Sequence, residues 1–110
     1  MSAPRYIGSA GHKDGNHDDI VRVLQQAGYT TQDLSAVGLG CPDLLVGFAG
    51  CNILLEIKNR DGKATGSRAE GNENQKKWKS FWRGQTAVVF TAEEALEVCS
   101  AVLAREKLGR

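Results

Sequence analysis

The sequence predicts a single α/β domain, with elements in the order α, β, β, β, α, β, α around one mixed sheet flanked by helices. Three observations lead there. Two stretches rich in Leu, Val and Ile stand on either side of Gly47 to Gly50, the pattern of two antiparallel strands and a tight turn. Apolar residues recur at helical spacing near both ends of the chain. A short apolar run at 86–90 follows a helical stretch, as a strand reached through a crossover does.

The first helix is expected over 17–27, with Asn16 as its cap, Ile20, Val23, Leu24 and Ala27 as its buried stripe and Gly28 as its stop. Residues 29–34 can form an edge strand leading into the Gly38-Leu39-Gly40 turn. In the hairpin that follows, a two-residue loop at Ala49-Gly50 pairs Phe48 with Cys51 and Gly47 with Asn52. Counting back sets Asp43 opposite Glu56. A four-residue loop keeps both acids on one face as diagonal neighbours, whereas an odd-length loop or a bulge separates them. Alternation sends Cys51, Ile53, Leu55 and Ile57 into the core and Asn52, Leu54, Glu56 and Lys58 to the other face.

A second helix is expected over 73–83, ended by Gly84, with Trp78, Phe81 and Trp82 read as core packing and not as base-stacking platforms. Residues 86–90 are apolar enough to be a buried strand, pairing in parallel with a hairpin strand. Thr91-Ala92-Glu93-Glu94 is a capping box for a last helix whose core face is Ala95, Leu96, Val98, Cys99, Val102 and Leu103. Residues 1–15 are expected to be flexible. Residues 59–71, broken by Gly62, Gly66 and Gly71, are expected to form a mobile loop.

All 110 residues fit one domain, and a hydrophobic fraction of 41% is ordinary for a globular protein. No apolar stretch is long enough to span a bilayer and Met1-Ser2-Ala3-Pro4 is no signal peptide, so the expectation is a cytoplasmic protein with no membrane partner. Cys41, Cys51 and Cys99 are an odd number without zinc-type spacing, which reads as reduced, buried thiols. His12 and His17 read as solvent-facing rather than as ligands.

Two opposed carboxylates on an apolar hairpin need something cationic between them, since like charges about 4.5–5.5 Å apart are destabilising. A divalent ion meets that need. Lys58 points the same way as Glu56, about 7 Å along the strand, so two acids and an ammonium surround one point. Carboxylate oxygens suit Mg²⁺ or Mn²⁺, which keep waters and accept a phosphate oxygen, and the backbone carbonyl of Ile57 could add a ligand. These residue types match what hydrolysis of a phosphodiester requires. The plainer alternative is a surface hairpin with an ion pair, in which Pro42-Asp43 is an ordinary turn start.

Asp43 after Pro42, followed by Glu56-Ile57-Lys58, resembles the signature of the PD-(D/E)XK nuclease superfamily. More narrowly, Asn16 to Val21, Gly40-Cys41-Pro42-Asp43-Leu44, Leu55-Glu56-Ile57-Lys58 and Gln75 resemble the VRR-NUC (virus-type replication-repair nuclease) family in its short stand-alone bacteriophage form. The resemblance implies a small restriction-endonuclease-like core, with host cytoplasm as the setting if the chain is phage-encoded. It also implies that Asp19 approaches the metal site and that Gln75 faces it. Asp19 reads equally as a favourable first-turn charge, and Gln75 as the reach-back member of a capping box at Asn72 to Gln75.

Net charge is +1 but unevenly spread: residues 58–83 hold eight basic and three acidic residues. Arg60, Lys63, Arg68, Lys76, Lys77 and Lys79 could follow a nucleic-acid backbone into the site, or form a solvated loop and helix face. The expectation is therefore a Mg²⁺- or Mn²⁺-dependent DNA endonuclease. In it Asp43 and Glu56 bind the metal, Lys58 assists the water, and Asp19 and Gln75 support. The resemblance implies a homodimer acting on branched or Holliday-junction-like DNA. The alternative is an inactive nucleic-acid-binding protein that keeps the fold.

Overall fold

The computed structural model describes residues 16–59 and 73–108. Its elements are α1 (His17–Gln26), β1 (Thr30–Asp33), β2 (Leu44–Phe48), β3 (Cys51–Ile57), α2 (Glu73–Phe81), β4 (Thr86–Val89) and α3 (Ala92–Leu108). The expectations for residues 1–15, and for all but the first residue of the 59–71 loop, fall outside the described residues.

The four strands lie in the order β1-β2-β3-β4, with the first two pairs antiparallel and β3 parallel to β4. Ala49 (φ 51°) and Gly50 (φ 79°) make the hairpin turn, and both central residues take the positive φ of a type I′ turn. That two-residue loop produces the pairs Phe48–Cys51 and Gly47–Asn52 read from the sequence, and Leu44 faces Leu55.

One face of the sheet is covered by α1 and α3, which also pack on each other. Leu44 and Val46 of β2, Ile53, Leu55 and Ile57 of β3 and Val89 of β4 meet Ile20, Val21, Leu24, Ala95, Cys99 and Val102 there. Complete burial of a leucine such as Leu44 or Leu55 is worth roughly 2 kcal/mol from the area removed from water. The capping box forms: Glu94 N–H donates to Thr91 Oγ1 at 3.1 Å, while the Glu94 carboxylate reaches back to accept the Phe90 N–H at 2.6 Å.

Six features differ from what the sequence predicts. Asn16 makes no side-chain cap on α1: its Nδ2 donates to the distant Lys58 and Phe90 carbonyls, and that orientation leaves Oδ1, the atom a cap would use, without a partner. His17 is buried at the start of α1 instead of facing solvent, whereas Ala27 is exposed. β4 is an edge strand in which only Val89 is buried. Cys41 is half-exposed, unlike Cys51 and Cys99. Helix α2 buries none of its residues, so Trp78, Phe81 and Trp82 are not core: Phe81 is 60% and Trp82 40% exposed.

Candidate active site

The site lies on the other face of the sheet, at the end where β2 begins and β3 finishes. The paired register ends at Leu44–Leu55, and Asp43, the residue just before β2, lies beside Glu56. Asp43 holds that position through both backbone neighbours of Glu56: its N–H donates to the Leu55 carbonyl at 3.1 Å, and its Oδ2 accepts the Ile57 N–H at 2.9 Å. In an extended strand the N–H and carbonyl of one residue leave on the same edge. The Ile57 carbonyl therefore belongs to the edge from which Asp43 approaches.

Glu56 and Lys58 are two residues apart on β3 and share a face, with Lys58 Nζ 3.3 Å from Glu56 Oε2. Both side chains are nearly buried, at 13% and 12% exposure. Gln75, in the first turns of α2, closes a triangle. Its Nε2 donates to Glu56 Oε2 at 2.7 Å, and its Oε1 accepts from Lys58 Nζ at 2.8 Å. The capping-box role considered for Gln75 is thus not the one its side chain takes. A cleft of about 20 Å³, room for about one water, opens among Gly40, Pro42, Glu56, Lys58, Gln75, Trp78, Lys79, Thr86 and Val88.

Two features without a clear sequence signal hold this arrangement. Gly40 adopts φ +86°, and a Cβ built there would lie 2.2 Å from the Asn74 carbonyl oxygen. Only glycine lets the loop before β2 press against the start of α2, which sets Gln75 at the site. Asn16 Nδ2 donates to the Lys58 carbonyl at 2.9 Å and the Phe90 carbonyl at 2.7 Å, tying α1 to the ends of β3 and β4. The stretch Asn16-His17-Asp18-Asp19 reads as a helix start in sequence, which conceals this role.

Burial drives the Glu56 carboxyl upward and the Asp43 charge adds to it. Lys58 and the Gln75 hydrogen bond pull the other way, and the balance leaves Glu56 pushed up to about 7. Cys41 is raised by its own burial and then by Glu56 and Asp43, which puts its thiol within the field of the same acids.

Asp19 stands apart from this cluster. Its carboxylate pairs with Arg22 on the exposed side of α1, and the charges acting on Glu56 are those of Asp43 and Lys58. Lys76, Lys77 and Lys79 are exposed on α2, with Lys79 lining the cleft. Arg60, Lys63 and Arg68 lie outside the described residues.

The chain matches no family model, no curated protein and no solved structure.

Among the described residues, no group of three or more His, Cys, Asp and Glu side chains converges. Two carboxylates and one carbonyl edge do; burial first, and then the Asp43 charge, push the Glu56 carboxyl up to about 7, a cost that a cation between the acids would relieve. That suits Mg²⁺ or Mn²⁺, which bind through one or two carboxylates and keep several waters; it does not suit zinc, which takes three or four protein ligands.

Proposed function

We propose that this protein is a metal-dependent DNA endonuclease of the VRR-NUC type within the PD-(D/E)XK superfamily. The observation that carries the reading is Asp43 bound to the main chain on both sides of Glu56, with Lys58 3.3 Å from the Glu56 carboxylate. Asp43, Glu56 and the Ile57 carbonyl would hold Mg²⁺ or Mn²⁺. When bound, such an ion supplies a polarised phosphate oxygen and a more acidic water.

The remaining work belongs to side chains. Lys58, nearly buried and fixed by Gln75, keeps its ammonium beside the reacting phosphate, where it neutralises charge developing on the phosphoryl oxygens. Gln75 bridges the Glu56–Lys58 pair, donating to the carboxylate and accepting from the ammonium, and so fixes both groups in place. Asp19 would support from α1 only after leaving Arg22. Lys76, Lys77 and Lys79, with Arg60, Lys63 and Arg68, would track the phosphate backbone. Action on branched or junction-like DNA by a homodimer, and a cytoplasmic setting, rest on the family resemblance. No helix among the described residues is long and apolar enough to cross a membrane.

The test is incubation of duplex, flap, single-stranded and four-way-junction DNA with the protein in Mn²⁺, beside Lys58→Ala. Cleavage by the wild type, reduced about 100-fold or more by the substitution, is expected. Equal cutting by both proteins removes Lys58 from the chemistry. DNA binding that ignores the metal and yields no product favours the inactive binding protein.

A further inference from the structure

Helix α2 leaves Trp82 and Phe81 in solvent while stacking Trp82 on Trp78, with ring centroids 4.8 Å apart and planes 20° from parallel. An exposed indole stacked on a half-buried one is a costly thing to leave uncovered, and its position suggests a use. Gln75, Trp78 and Trp82 follow one stripe of the helix at i, i+3 and i+7, and the Trp82 N–H still bonds to the Trp78 carbonyl at 3.2 Å, so the stripe is continuous. At 1.5 Å per residue it runs about 10 Å outward from the Glu56–Lys58–Gln75 triangle. Trp78 lines both the small cleft at that triangle and a neighbouring groove of about 710 Å³, walled by Trp78 and Trp82 over Leu45 and Leu54.

Charge selects the occupant. Residues 73–83 carry Lys76, Lys77, Lys79 and Arg83 against Glu73 alone, a net +3 from four basic and one acidic side chain. A second copy docking through this helix would set +3 against +3. A polyanion with flat apolar faces meets both features: phosphates for the lysines, bases for the indoles.

We infer that Trp78 and Trp82 form a stacking platform for unpaired bases of a nucleic-acid strand, two to three nucleotides from the bond cut at Glu56 and Lys58. The spacing follows from about 10 Å of helix and about 3.4 Å per stacked nucleotide. This rests on the nuclease reading for the word "cut", but the stacking itself does not. It assigns the platform to a strand that is already unpaired, because a paired base has both faces occupied by its neighbours.

The chain contains two tryptophans, and both are in the platform, so emission excited selectively in tryptophan reports on it alone. Titration in EDTA compares oligo(dT) with an abasic strand of equal length and phosphate count, using the full chain, Trp82→Ala and Trp82→Phe. Oligo(dT) should quench wild-type emission and bind about 10-fold more tightly per stacked base than the abasic strand. Trp82→Ala should bring that ratio close to one while leaving abasic-strand affinity unchanged, and Trp82→Phe should keep most of it. Equal binding of both strands by the wild type overturns the platform, as does a preference that survives Trp82→Ala. A dimer in sedimentation that Trp82→Ala dissolves, or emission that no strand quenches, also overturns it. Cleavage of duplex, flap, single-stranded and four-way-junction DNA in Mn²⁺ is scored in parallel. A protein that cuts without base preference loses the platform alone, and one that prefers bases but cuts nothing loses the nuclease reading alone.

Discussion

Gln75 donates its amide N–H to the Glu56 carboxylate at 2.7 Å, across 19 residues of sequence and from a helix that buries none of its own side chains. With its amide oxygen on Lys58, this one group satisfies both ends of a carboxylate–ammonium pair that is nearly withdrawn from water. A buried pair needs such additional hydrogen bonds to offset the cost of desolvating two charges.

Replacing Gln75 by Glu keeps the size but turns the donor facing Glu56 into a second carboxylate. Cleavage in Mn²⁺ should fall at least about 10-fold, and its pH profile should move upward as Glu56 becomes harder to ionise. Gln75→Ala should lower the rate with a smaller shift in the profile. Initial rates from pH 6 to 9 separate the two, and a Gln75→Glu profile superimposed on the wild type removes Gln75 from the electrostatics of the site.

Stability without metal should fall as pH rises. Glu56 ordinarily ionises near 4.5 but is pushed up to about 7 in the folded chain. Between those values the native state keeps a proton that the unfolded chain has released. The contribution is fully present below about 4.5 and is lost through about 7, at most about 3 kcal/mol. Glu56→Gln should flatten this dependence. Urea unfolding in EDTA at pH 5, 6, 7 and 8 measures it, and parallel curves for wild type and variant would contradict the raised ionisation.

Gly40→Ala should separate α2 from the sheet. The new methyl would stand 2.2 Å from the Asn74 carbonyl oxygen at φ +86°, so backbone must move. A loss on the order of 2 kcal/mol is expected. Tryptophan emission should change in step, because Trp78 and Trp82 ride on the displaced helix. Gly38→Ala provides the comparison: its φ is also positive, at +79°, but nothing lies within 4 Å of the added methyl. Equal effects of the two substitutions would show that strain in the turn, and not contact with α2, is what Gly40 relieves.

Much of this molecule was legible from local pattern. Alternation along β3 and the glycine at the hairpin turn act over a few residues and led to the pairing of β2 with β3, while Thr91 and Glu94 marked the start of α3 in the same local way. Strand periodicity likewise put Glu56 on the outer face with Lys58 two residues on, whereas Asp43, before β2, is held by hydrogen bonds to Leu55 and Ile57.

Tertiary contacts decided the rest. Asn16 gave up a helix cap to bind carbonyls 42 and 74 residues away, and nothing within its own neighbourhood records that choice. Helical spacing described Trp78, Phe81 and Trp82 correctly as a group, yet periodicity names a face without naming what covers it. The two covering layers α1 and α3 both lie on the far side of the sheet, which left the α2 aromatics exposed beside the acids. The ionisation of Glu56 is likewise a property of the assembled fold, set by burial and by a charge that only strand pairing brings near.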